Sequence, residues 1–208
     1  MTQVTIYNNV NGVTPIGTFN MTVPLAIESE TRAFRDETLS LRIVTNSSNA
    51  QRWNMNFGLA ADGGTNQTAA LFSVHKATHN ISQQFSVTMP QHHYVDALTD
   101  SDGNPITVTV NGAVNLSTTD VTMIPTTGGT IPVGRFISFA GHSKIYLVTA
   151  STETTTSIFP PLRSNLADAS TVNQSPVVNV FYSDNDDQSI SYSDGILSEI
   201  SLSLVEAL

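Results

Sequence analysis

Residues able to do chemistry are sparse in this chain. Five histidines are present, His75, His79, His92, His93 and His142. His75 and His79 stand at i and i+4 in "HKATH", the spacing of two metal ligands on one helix face. Lys76 occupies the place of the glutamate in H-E-x-x-H, so surface histidines are the expected reading. His92 and His93 point to opposite faces of an extended segment, so a single ion would meet one of them at most. "DSDGN" at Asp100–Asn104 opens like a calcium loop, but Asn111 stands where the bidentate glutamate belongs, and a hairpin turn accounts for the residues. Asp184, Asp186 and Asp187 cluster in "SDNDDQS"; three carboxylates could hold a surface ion, and a solvated loop is the expected reading. There is no G-x-S-x-G, no phosphate loop and no favoured carboxylate pair. The residues point to no catalytic, cofactor or metal site, and a non-enzymatic role is expected.

The charge balance narrows the partners. Lys and Arg number 8 against 17 Asp and Glu, a net charge of −9. Nucleic-acid binding draws its affinity from phosphate neutralisation by a basic surface, which this chain lacks. Charged residues make up only 12% of the chain, about half the usual ~25%. Its polarity comes from Ser, Thr, Asn and Gln instead. Cysteine is absent, which excludes disulfides, thiolate metal sites and cysteine nucleophiles. The N-terminal "MTQVTIYNNV" has neither a basic nor an apolar region, so no signal peptide is expected. No apolar run approaches the ~18 residues of a membrane span.

Period-2 alternation dominates the elements that must carry these residues. In "LSLRIVT", Leu39, Leu41 and Ile43 share one face. In "QRWNMNFGLA", Trp53, Met55 and Phe57 oppose Arg52, Asn54 and Asn56. "FSVTM" aligns Phe85, Val87 and Met89, and "ITVTV" aligns Ile106, Val108 and Val110. Such alternation marks half-buried antiparallel strands. Turn signals separate them: Asp102–Gly103, Asn111–Gly112, Gly128–Gly129 and Asp194–Gly195. The pattern predicts an all-β protein, an antiparallel β-sandwich or small β-barrel modules, with at most one or two short helices. The helix candidates are "AALFSVHKATHNISQQF" and a single turn in "SNLADAS". A soft composition shift suggests either an N-terminal β region over 1–98 and a barrel-like module over 99–208, or one domain without that boundary. At the C-terminus, Ile196, Ile200, Leu202 and Leu204 form the dry face of one long strand, well placed at a sheet edge or subunit contact and expected to pair with a sheet of its own chain or of a neighbour, for core closure or assembly.

The stretch Ile131–Leu166 reads as a three-stranded meander. Phe136 and Ser138 oppose Ile137 and Phe139. Ile145 and Leu147 oppose Tyr146 and Val148, so this near-continuous apolar strand is expected to be buried on both faces. Gly141 supplies a tight turn with His142 exposed at its tip. The third strand stops at Pro160–Pro161, because proline cannot donate to a ladder.

This stretch resembles a segment of tailed-bacteriophage virion structural proteins, of the minor tail, distal tail or baseplate type. The resemblance rests on "G-x-F-I-x-F-x-G-H-S-K-I-Y-x-V-T" and "I-x-P-P-L-R", with "SSNAQRWNMNFGL" and "FSVTMPQ" upstream. The residues that carry it are Gly134, Phe136, Ile137, Gly141, His142, Lys144, Tyr146, Val148, Pro160, Pro161, Leu162 and Arg163, with Trp53 upstream. Those proteins often have an acid after the glycine, where this chain has Arg135. The resemblance covers well under half of the chain. It implies a β-module with an assembly role, a homo-oligomeric ring in the distal tail, baseplate or neck. The implied partners are other copies of the chain and neighbouring tail proteins, in a virion assembled in the host cytoplasm. The alternative is a receptor- or carbohydrate-binding β-module of a tail fibre or head decoration. A third reading, a hydrolase with a carboxylate or histidine site, has no supporting motif.

Overall fold

The computed structural model describes residues 3–8, 12, 14–37, 43–60, 70, 73, 84–91, 97–126, 128–183, 190–193 and 197–208. The fold is all-β, as the alternation predicts. Its strands are β1 (Gln3–Tyr7), β2 (Pro15–Glu37), β3 (Ile43–Ala60), β4 (Phe85–Thr88), β5 (Val108–Val110), β6 (Asp120–Pro125) and β7 (Phe136–Phe139). There follow β8 (Tyr146–Ser151), β9 (Thr155–Phe159), β10 (Thr171–Asn173), β11 (Val177–Tyr182), β12 (Ile190–Ser193) and β13 (Leu197–Glu206). All pairings are antiparallel, in two sheets.

The first sheet has the order β11-β4-β1-β2-β3-β13-β12. β11 also pairs with β13, through Val180↔Glu206, Phe181↔Val205 and Tyr182↔Leu204. Six of its strands therefore return on themselves, each with a neighbour on both sides. The inward set is the one the alternation marks: Trp53, Met55, Phe57 and Leu59 from β3, Phe85 and Val87 from β4, and Ile200, Leu202 and Leu204 from β13, all buried. The second sheet is a closed barrel in the order β10-β5-β6-β9-β8-β7. Val108, Val110, Val121, Met123, Ile137, Phe139, Tyr146, Val148 and Ile158 fill it. Closure leaves the barrel without an edge strand.

Several expectations are corrected by this topology. The first sheet takes strands from both sides of position 98/99, because the chain leaves the barrel after β10 and β11, β12 and β13 join β1, β2, β3 and β4. The barrel is an insertion between β4 and β11. β13 is not an edge strand: β3 pairs along one side of it, and β11 and β12 pair along the other. Its dry face is buried because the chain's own sheet closes through it.

Asn111–Gly112 does not close a two-residue hairpin. Gly112 takes a positive φ of 82°, but its N–H donates to the Asp168 carboxylate at 2.7 Å, and the chain returns only at β6. "SNLADAS" forms no helical turn; Leu166 bridges to Val114, and Ser170 N–H reaches the Ala167 carbonyl at 3.3 Å. The hairpin at Thr99–Pro105 does form, with Gly103 at φ 82°. Leu39, Leu41, His75, His79, His92, His93, Asp184, Asp186, Asp187, Asp194, Gly195 and Ile196 lie outside the described residues, as does most of the first helix candidate.

Candidate functional site

The functional interest of the fold lies at the seam between the two sheets, where the meander of β7, β8 and β9 turns two faces to two cores. Ile137, Phe139, Tyr146, Val148 and Ile158 point into the barrel. Phe136, Ile145, Leu147 and Phe159, of opposite parity, belong to the core of the first sheet. A period-2 strand that is apolar on both faces must bury both, and here each face has its own core.

Trp53 is the anchor on the other side. Its ring meets Phe136 edge-on at 5.2 Å and Phe159 at 6.0 Å between centroids. Its indole N–H donates to the Ile145 carbonyl at 2.9 Å. The sole tryptophan is thus buried and hydrogen-bonded, the usual condition for burying this ring, and it is not available to stack on a sugar.

Polar side chains fasten the seam where the chain crosses it. The Gln91 amide docks on the backbone of Phe136, donating to its carbonyl at 2.9 Å and accepting its N–H at 3.0 Å. Gln174 accepts the Leu98 N–H at 2.8 Å and donates to the Ile106 carbonyl at 3.1 Å. Arg135 is buried, with Nε donating to the Gln174 carbonyl at 2.8 Å. That hydrogen bond is the structural use of the basic residue found after Gly134.

The most polar element of the seam is an ion pair. Lys144 Nζ donates to Glu206 Oε2, and their side chains are 2% and 0% exposed. Glu206 also accepts the Trp53 N–H and the Ile145 N–H, each at 3.0 Å. Lys144 Nζ lies 5.6 Å from the centre of the Trp53 ring. Burial pushes the ammonium down to about 8, against the pull of Glu206. It pushes the Glu206 carboxyl up, against Lys144 and the two backbone donors. A buried charge needs a partner and full hydrogen bonding to be tolerated, and Glu206 has both.

Outside this pair, an open concavity of about 340 Å³ is lined by His142, Lys144, Tyr146, Arg163, Ser164 and Leu208, among others. His142 is half-buried rather than exposed at a tip. Its Nε2 lies 3.0 Å from Ser164 Oγ and its Nδ1 3.3 Å from the Tyr146 hydroxyl. A serine beside an imidazole is the start of a nucleophile–base pair. The third position, however, is held by a phenol that already accepts the Arg163 N–H at 3.3 Å. Burial raises that phenol's pKa, so it stays protonated. The contacts tie the β7–β8 turn to the segment after Pro161.

Of the motif residues, Gly141, His142, Lys144, Tyr146 and Arg163 line this concavity, and the others are spread over the seam and the barrel. Gly134 donates its N–H to the Val148 carbonyl at 2.8 Å. Gly141 carries the β7–β8 turn at φ 82°. Pro160 follows β9 through a cis bond, and Leu162 packs in the barrel. Phe136 and Trp53 meet in the seam, and Ile137, Tyr146 and Val148 fill the barrel. Sequence reasoning missed Glu206, Gln91 and Gln174. For Glu206 the signal was present, because it shares the parity of Ile200, Leu202 and Leu204.

Among the described residues, no group of three His, Asp or Glu side chains is placed to hold a metal, and no helix is long and apolar enough to cross a membrane. No protein-family model matches the chain, and no curated protein matches it significantly.

Proposed function

We propose that this protein is a non-catalytic structural component of a tailed-phage virion, a homo-oligomeric ring protein of the distal tail, baseplate or neck. The observation that carries the reading is the use made of the segment with the phage-like motif. Its apolar side chains build one barrel wall and the seam to the first sheet, and its polar ones serve as internal fasteners. Residues spent in this way serve rigidity. A ring subunit needs rigid modules held in fixed relation, with contacts made by edges and loops.

The test is the assembly state of the purified chain, by native mass spectrometry and negative-stain imaging. Closed rings of one subunit type are expected. A strictly monomeric species at the highest attainable concentration, which also fails to join neighbouring tail proteins on co-expression, would overturn the reading.

A further inference from the structure

Lys144 and Glu206 bring an amine and a carboxyl together out of water. Nζ and Oε2 are in hydrogen-bond contact, and the two side chains are 2% and 0% exposed. In water such a pair stays ionised, and an ammonium is not a nucleophile. Here burial acts on both groups in the same sense. It lowers the lysine to about 8 against the pull of Glu206, with help from the Arg163 charge. It raises the glutamate. Each shift favours the neutral form. One proton moving along the existing Nζ–Oε2 hydrogen bond turns ammonium and carboxylate into amine and acid, with no exchange with bulk solvent. A desolvated lysine amine is a nucleophile.

The carboxyl is held as the matching electrophile. Glu206 Oε1 accepts the Ile145 N–H and Oε2 accepts the Trp53 N–H, each at 3.0 Å. These donors are fixed on two different elements, β3 and the β7–β8 connection. The one on Oε1 is placed to stabilise the oxyanion that forms when an amine adds to Cδ. The Trp53 ring, 5.6 Å from Nζ, adds an apolar wall. Lys144 also lines the open concavity beside His142, which gives a released water its way out.

We infer that Lys144 and Glu206 condense into an intramolecular amide cross-link once the chain has folded. Nζ attacks Cδ of the protonated carboxyl and the N–C bond forms. Oε1 carries the negative charge of the intermediate on the Ile145 N–H. One Nζ proton passes to the Oε2 hydroxyl, the Cδ–Oε2 bond breaks, and Oε2 leaves as water. Amine plus acid gives amide plus water, and no oxidant or cofactor enters the balance. The product replaces two buried ionisable groups by one neutral amide and so removes the cost of burying two charges. It links positions 62 apart and ties the inserted barrel to the strand that closes the first sheet. In a chain without cysteine, it constrains the unfolded state as a disulfide does elsewhere. The inference stands independently of the ring reading above.

The experiment is the intact mass of the purified full-length chain in denaturant, followed by a peptide map. The wild type is expected to be lighter than its sequence by the mass of one water. Its digest should hold the Lys144 and Glu206 peptides as one branched product, with fragments that place the junction on these two side chains. A Lys144→Arg chain should show its full sequence mass. The wild-type map decides alone if that variant does not fold. A folded wild type that keeps its full sequence mass after prolonged incubation overturns the cross-link and leaves the ion pair and the ring reading standing. So does a lost water that persists in Lys144→Arg, or one that maps to a cyclic imide at Asp102–Gly103 or Asp194–Gly195.

Discussion

Lys144 and Glu206, 62 positions apart, meet as a fully buried ion pair that joins the β7–β8 connection to the last residue of β13. The pair links the inserted barrel to the strand through which the first sheet closes. Removing one partner leaves the other buried without its counter-charge. Lys144→Met or Glu206→Leu alone should therefore cost about 3–5 kcal/mol, and the double variant should cost less than either single one. Urea unfolding of the three variants measures this coupling. Single variants within 0.5 kcal/mol of wild type, the roughly ±0.5 kcal/mol range of uneventful surface changes, would show that the pair is not a fastener.

Deleting β13 should prevent folding. Ile200, Leu202 and Leu204 are all buried, and each such side chain contributes roughly 1.5–3 kcal/mol. The strand also completes the closure of the first sheet, so its loss exposes ladder groups on both neighbours. A chain lacking residues 197–208 should appear in the insoluble fraction on expression. Recovery of a soluble product with an unchanged melting temperature would contradict the placement of β13.

Trp53 should report the two cores as one cooperative unit. It is the only tryptophan, and its ring lies between the core of the first sheet and the meander wall of the barrel. Unfolding followed by tryptophan fluorescence should coincide with unfolding followed by far-UV circular dichroism, the mark of a single transition. Trp53→Ala should cost about 3–5 kcal/mol. Two separated transitions would mean that the seam does not couple the modules.

The Asp100 hairpin should titrate in the acid range. The Asp100 carboxylate accepts the Asn104 N–H at 2.8 Å and the Asp102 N–H at 2.9 Å. These bonds, that of Asn104 foremost, hold its pKa below the ordinary 3.8. Because the folded value is the lower one, the contribution is complete above the ordinary value and is lost as the pH falls through the folded value. In an NMR titration the Gly103 and Asn104 amides should shift with a midpoint under 3.8. A midpoint at or above that value would remove the carboxylate from the turn.

Strand faces were legible in the sequence. Trp53, Met55 and Phe57, or Tyr146 and Val148 against Ile145 and Leu147, sort by parity alone, because the side-chain period of a strand is two. The Asp102–Gly103 turn was equally plain, since both its carboxylate acceptor and its positive-φ glycine are local. Asn111–Gly112 carried the same signal and formed a different loop, because Asp168, 56 positions away, took the glycine's N–H. Glu206 shares the parity of the dry face of β13, a signal the sequence reading did not use, and parity holds no hint of Lys144.

Partnership was decided only by the tertiary structure. β11 leaves the barrel to pair with β4, and β13 lies between β3 on one side and β11 and β12 on the other, where a terminal position had suggested an edge. Periodicity states which face of a strand must be dry. Which strands share that dry space depends on the closure of two sheets around two cores, a sum of contacts between residues far apart in the chain. No local window of sequence contains that sum.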